Sequence, residues 1–285
     1  MVLVLISTSK VMAIEVGGDL TTAVSSDSRA ARVASDADRP DGESDTVYYM
    51  NLKLKAKNLD PYDFSYSLYK NWYQDQGELD IYGHGLKLDR TWKKEKRMAR
   101  IRAAYDVYVW DGESYFERER IRPEFAWKRG SGKWLTGFAE IERESFRKNS
   151  ERTGTRTGVG AIVPVVGRKI GRRLDVLGWV ADENTNSDTY SHRETGAGLS
   201  FSQSLFSVFD MFSANLKWMD REYDEVITRT TKREDKRSEI YVALTRSIDE
   251  NVSIQVEGLW WDNDSNINDE EYSRAVYSFK VIRTF

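Results

Sequence analysis

Between positions 48 and 57 the side chains alternate strictly. Tyr48, Met50, Leu52, Leu54 and Ala56 share one face, and Tyr49, Asn51, Lys53, Lys55 and Lys57 share the other. Successive residues of an extended strand point to opposite sides, so period-two runs of this kind predict half-buried β-strands. The pattern recurs along the chain. Ile101, Ala103, Tyr105, Val107 and Val109 oppose Arg100, Arg102, Ala104, Asp106 and Tyr108. Phe212, Ala214, Leu216 and Trp218 oppose Ser213, Asn215 and Lys217, and Val252, Ile254, Val256, Gly258 and Trp260 oppose Ser253, Gln255 and Glu257. Helical spacing is hard to find. The alternation divides the chain into about fourteen strands, near 14–28, 46–58, 62–74, 79–92, 98–110, 119–129, 133–145, 155–166, 172–182, 193–203, 208–221, 237–246, 252–261 and 274–285.

Alternation alone fits two architectures. In a soluble sandwich the apolar face meets a core and the charged face meets water; in a membrane barrel the apolar face meets lipid and the charged face lines the lumen. The connections separate them. One set is long and polar, including "SSDSRAARVASDADRPDGESD", "DGESYFER", "DENTNSDTYSH", "REYDEVITRTTKRED" and "DNDSNINDEEYS". The other is short: "NLDP", "KKEKR", "RGSG", "GRKIG", "SLFS" and "SIDEN". Long loops at one end and tight turns at the other, with strands of barrel-crossing length, predict an all-β, transmembrane antiparallel up-and-down β-barrel of about 14 strands over residues 14–285. An even strand number brings both termini to the turn end, the periplasmic side.

Composition sharpens that picture. The 9 Trp, 15 Tyr and 11 Phe are too many for an ordinary soluble chain of mean hydropathy -0.63, but suit aromatic girdles at two lipid–water interfaces. A net charge of -3 argues against a nucleic-acid partner, and the absence of Cys excludes disulfides and cysteine-ligated metals. With only two histidines, His84 and His192, a histidine metal centre is excluded as well. The start "MVLVLISTSKVMA" carries a short apolar run and reads as a signal peptide over residues 1–13, lacking a basic n-region, with an ordinary buried strand as the alternative. The end, "AVYSFKVIRTF", sets Tyr277, Phe279, Val281 and Phe285 on one face, resembling the assembly signal read by the barrel-insertion machinery. Arg283 occupies a position where that signal usually has an apolar residue.

Several segments of the second half carry a family resemblance. "RTGTRTGVGAIVPV", "ADENTNSDTYSHRETGAGLSF", "DREYDE", "KREDKRSEIYVALTRSI" and "WWDNDSNINDEEYSRAVYSF" resemble the C-terminal barrel of surface lipoprotein assembly modifiers. The resemblance implies a conduit in the bacterial outer membrane, with an exported lipoprotein and a separate periplasmic partner as expected associates. Members of that family typically carry a periplasmic tetratricopeptide domain, whereas barrel-like sequence begins here by residue 14.

Candidate chemistry is sparse. Asp262, Asp264 and Asn266 have EF-hand spacing, but Ile267 and Ser273 stand where such a loop needs Gly and Glu. The segment is therefore expected to be a solvated turn, and no metal or cofactor is expected. Ser191-His192 lacks a nucleophile elbow, so no catalytic residue is expected and the chain is read as a non-enzyme. The lumen-lining candidates are Lys53, Lys55, Lys57, Lys87, Arg100, Arg102, Asp106, Arg122, Glu124, Lys128, Glu140, Glu142, Glu144, Lys217 and Glu257. Two readings stay open for them. Arg100, Arg102, Arg122 and Lys128 form a basic ladder that favours anionic solutes, or opposite charges pair across strands and plug the interior. The expected surroundings are outer-membrane lipid and lipopolysaccharide. The corresponding functions are an export conduit, a passive porin and a plugged structural barrel.

Overall fold

The computed structural model describes residues 3–7, 10–28, 44–57, 59, 61–75, 77, 80–110, 113–130, 133–166, 171–205, 208–226, 231–267 and 270–285. The strands in chain order are β1 (Leu3–Ser7), β2 (Lys10–Asp27), β3 (Asp45–Lys57), β4 (Tyr62–Tyr73), β5 (Ile81–Lys94), β6 (Arg97–Trp110), β7 (Glu113–Lys128) and β8 (Trp134–Phe146). They continue with β9 (Gly154–Val166), β10 (Arg172–Thr185), β11 (His192–Ser204), β12 (Met211–Val226), β13 (Lys232–Ser247), β14 (Val252–Ser265) and β15 (Tyr272–Thr284). From β2 onward each strand pairs antiparallel with the next, and β15 returns to β2, closing a 14-stranded barrel. β1 is an annex to the wall, running from Leu3 opposite Ile14 to Ser7 opposite Lys10. Among the described residues no helix is long and apolar enough to cross a membrane.

Closure removes the free edges that an open sheet would expose. At the seam Gly18 and Phe285 exchange backbone N–H···O bonds, each 2.9 Å. The Phe285 ring covers Gly18, where a Cβ would come within 2.9 Å of its Cζ. Inside the seam Ser25 Oγ donates to Ser278 Oγ at 2.9 Å, and Arg274 Nε donates to Asp27 Oδ1 at 2.9 Å.

The two faces of the wall differ as alternation requires. Outward side chains on neighbouring strands include Leu86, Leu88, Ile101, Ile121, Phe125, Val159, Val163, Val180, Leu199, Ile240, Val256 and Phe279, all exposed. Soluble monomers rarely expose apolar patches beyond a few hundred Å². A belt running round the whole barrel instead needs lipid, so the protein is a transmembrane barrel. Trp92, Trp127 and Trp218 stand on the same outer surface, and Trp260 Nε1 donates to Tyr277 Oη at 3.1 Å. Inside, among the described residues, a small apolar cluster joins Val47, Tyr73, Ile81 and Trp110 at the loop end. Tight turns close the other end. Gly130 and Gly171 stand in or beside two of them at φ 66° and 63°, a left-handed conformation that favours glycine.

The polar connections are shorter than the sequence implies. "DGESYFER" is mostly strand, since β7 begins at Glu113. β12 runs on to Val226 and β13 resumes at Lys232, so most of "REYDEVITRTTKRED" is paired hairpin. β14 likewise continues to Ser265, with Asp262 opposite Ser273 and Asn263 opposite Tyr272. Beyond the lipid belt both faces of a strand are polar, so the alternation fades although the ladder continues.

Candidate functional site in the lumen

Strand register fixes which side chains share the interior. On β5 the inward set is Ile81, Gly83, Gly85, Lys87, Asp89 and Thr91, and the outward set is Tyr82, His84, Leu86, Leu88, Arg90 and Trp92. Following cross-strand partners from Asp89 to Arg102 to Arg122, and from Thr91 to Arg100 to Glu124, carries the inward face round the wall. By this register Lys53, Lys55, Lys87, Arg100, Arg102, Asp106, Arg122, Glu124, Lys128, Glu140, Glu142, Lys217 and Glu257 all lie on the lumen side.

The structure brings most of these together as ion pairs. Lys87 Nζ lies 3.2 Å from Asp89, and Arg102 lies 3.9 Å from Asp89 and 3.4 Å from Glu124. Arg122 then bridges Glu124 at 3.1 Å and Glu140 at 3.5 Å. Arg156 donates to Glu140 Oε1 and to Glu194 Oε1, both at 3.0 Å, and Arg221 Nε donates to Glu194 Oε2 at 2.8 Å. The result is a relay of alternating sign from β5 to β12. Shorter links flank it: Arg118 with Asp106 at 3.1 Å, Arg120 with Glu142 at 3.6 Å, Lys217 with Glu239 at 2.9 Å and Lys280 with Glu257 at 2.6 Å. Lys55 pairs with Asp19 at 2.5 Å.

These contacts change the meaning of the basic ladder. Arg102 and Arg122 are each held between two carboxylates, so their charge is largely compensated on the wall. Arg100 donates through Nε to Thr91 Oγ1 at 3.1 Å. Pairing does not fill the interior, however. The side chains of Lys55, Lys87 and Lys217 remain 47%, 46% and 46% exposed while paired.

Sequence reasoning missed several members of this network. Asp89, Arg156, Glu194 and Arg221 sit in stretches where glycines or polar residues on both faces blur the alternation. Three inward glycines also have a common use: a Cβ on Gly83, Gly160 or Gly196 would collide with the ring of Tyr69, Phe138 or Trp179 respectively. Each ring therefore lies against the wall over a glycine, the device by which aromatics compensate a strand glycine's missing side chain. Arg122 stacks on Phe138 with its guanidinium carbon 3.8 Å from the ring centroid, and Trp179 Nε1 donates to Glu194 Oε1 at 2.6 Å.

Other sequence candidates fall elsewhere. Ser191 Oγ engages Thr185 and Ser187, while His192 Nδ1 lies 3.0 Å from the Tyr190 carbonyl oxygen. Asp262 accepts from Ser273 Oγ at 2.5 Å, and Asn266 Nδ2 donates to the Lys232 carbonyl at 2.8 Å. These are hairpin contacts. Among the described residues no group of His, Asp or Glu could hold a metal ion. Arg152, in the short 3-10 turn Ser150–Arg152 at the loop end, has its pKa lowered by burial and stacks on Phe146 and Tyr190.

The chain matches no protein-family model and no curated protein. Solved structures do resemble it in fold. OmpT, an outer membrane protein of Vibrio cholerae, matches with a TM-score of 0.56 at 7% identity, over 96% of this chain and 97% of that one. Pseudomonas aeruginosa OccK2 (OpdF) matches with a TM-score of 0.51 at 8% identity, over 95% of this chain and 98% of that one. A bacterial polysaccharide outer membrane secretin matches with a TM-score of 0.50 at 9% identity, over 94% and 98%. The chain thus has the fold of bacterial outer-membrane β-barrels.

Proposed function

We propose that the protein is an aqueous transport channel of the bacterial outer membrane that passes small polar solutes with weak charge preference. One observation carries this reading: lumen lysines that are ion-paired to the wall are still nearly half exposed, so the interior is polar and wet. A barrel plugged by its own charges would bury them. Compensation of Arg102 and Arg122 by Glu124 and Glu140 supports weak selectivity over strong anion preference. Single-channel recording of the refolded protein in planar bilayers tests the proposal, which predicts steady ohmic conductance. A silent bilayer containing correctly folded barrel rejects it.

An export conduit is the second reading. It is supported by the motifs resembling surface lipoprotein assembly modifiers, which lie on consecutive strands from β9 to β15 and make one side of the wall and its outer rim. Co-expression with a candidate lipoprotein, followed by protease shaving of intact cells, tests it; unchanged surface exposure of the lipoprotein on deletion of the barrel would count against it. We place a leader at residues 1–13, which takes in β1 and the start of β2 and leaves the strand that pairs with β3 from Glu15 onward in the wall. N-terminal sequencing of the membrane-inserted protein checks that placement.

A further inference from the structure

The middle of the lumen wall holds a cavity of about 420 Å³ bordered by Phe138, Glu140, Arg156, Trp179, Glu194 and Arg221. That volume falls within the roughly 300–1,000 Å³ of small-molecule pockets. Cross-strand register explains its floor. Phe138, Gly160, Trp179, Gly196 and Met219 stand opposite one another on β8 to β12, so aromatic rings alternate with glycines along one row. The next row is Glu140, Gly158, Ala181, Glu194 and Arg221, crossed by Arg156. An aromatic shelf therefore runs beside a strip of planar carboxylates and guanidiniums.

We propose that this cavity is a carbohydrate subsite, taking one neutral pyranose ring against Trp179 with its hydroxyls on the Glu140–Arg156–Glu194 strip. The physical case has three parts. A pyranose has an apolar C–H face that packs on an aromatic ring, and Trp179 is fixed by its bond to Glu194 and its seat on Gly196. Vicinal hydroxyls both donate and accept, so they match a strip offering carboxylate acceptors and guanidinium donors side by side. The charges of that strip are compensated within it, and the further carboxyl groups of Glu142, Glu144 and Glu183 border the same cavity, so a neutral polyhydroxyl ligand is better matched than an anion. The subsite uses the channel reading for its purpose but not for its geometry, and binding can be measured without conduction.

The test is saturation-transfer NMR on the refolded full chain in a zwitterionic, sugar-free detergent, with glucose, glucuronate and the open-chain polyol sorbitol as probes. Glucose should bind with a dissociation constant on the order of 1–10 mM, and sorbitol at least tenfold more weakly. Trp179→Ala should weaken glucose about tenfold, Trp179→Phe should retain most of it, and Phe138→Leu provides a second variant should the alanine protein not fold. Equal binding of glucose and sorbitol, glucuronate binding tenfold tighter than glucose, or indifference to both Trp179→Ala and Phe138→Leu would each overturn the subsite. Conductance recorded on the same preparation separates the two claims: a conducting barrel that binds no sugar rejects the subsite alone, and a sugar-binding barrel that does not conduct rejects the channel alone.

Discussion

Arg156 and Glu194 stand on β9 and β11, strands that are not neighbours, yet Arg156 Nη2 lies 3.0 Å from Glu194 Oε1. The intervening strand allows this because Gly158 and Ala181 oppose each other beneath the bridge, and Ala181 is buried. Small residues there leave a trough for the guanidinium. The bridge joins the Glu140 and Arg221 halves of the relay into one strip.

Breaking that bridge should cost stability. Glu194→Gln leaves Arg156 and Arg221 without their shared carboxylate, and a double-mutant cycle of Arg156→Met with Glu194→Met should return a coupling of about 1–3 kcal/mol. The figure sits below that of a fully buried pair because the Arg156 side chain keeps 21% of its surface exposed. Denaturant titration of the barrel in lipid vesicles measures it. Additive single effects would show the bridge to be energetically idle.

Gly160→Val should do damage of a different kind. The new Cβ would lie 2.6 Å from the Gly178 carbonyl oxygen and would collide with the Phe138 ring, so the ring must swing into the lumen. Overpacking of this sort costs roughly 1–3 kcal/mol. Pairing the change with Phe138→Ala should remove the ring collision but not the backbone contact, so the double variant should recover only part of the loss in the same denaturant titration.

Phe285 separates assembly from stability. Its backbone bonds to Gly18 survive in Phe285→Ala, and the lost ring-over-glycine contact is worth about 0.2–1 kcal/mol. The variant should therefore refold in detergent nearly as well as the parent. If the terminal strand with Tyr277, Phe279 and Val281 is the signal read in cells, the amount inserted in the outer membrane should fall several-fold. Normal insertion would remove that role from the terminal aromatic.

The turn between β11 and β12 predicts a pH effect. Asp210 accepts the Ser247 backbone N–H at 2.5 Å, and that bond holds its pKa below the ordinary 3.8. A carboxylate with a depressed folded pKa contributes stability that is complete above its unfolded value and is lost as pH falls through the folded one. The parent should thus be more stable than Asp210→Asn at neutral pH, with the difference shrinking below about pH 4. A difference that grows in acid would contradict the assignment.

How much of this was legible beforehand depended on whether a lipid face was present. Within the belt, residues such as Ile101 and Ile121 alternate with Arg102 and Arg122, and that contrast revealed the strands, their number and the lumen candidates. Above the belt, Asp220, Glu222, Glu234 and Lys236 face outward into water, so nothing distinguishes paired hairpin from loop. The relay was hidden for another reason. Pairing Arg156 with Glu194 needs the register of three strands and the smallness of Gly158 and Ala181, and no single segment contains that information. The seats of Phe138 and Trp179 on Gly160 and Gly196 are likewise relations between strands.

A water-filled lumen with its charges compensated on the wall is what the proposed channel requires. Single-channel recording under a salt gradient tests it most directly. The account predicts steady conductance with a reversal potential near zero, and a clear shift toward cation selectivity when Arg102 and Arg122 are both replaced by Gln, leaving Glu124 and Glu140 without those partners. No conductance, or strong anion selectivity that survives this double replacement, would contradict it.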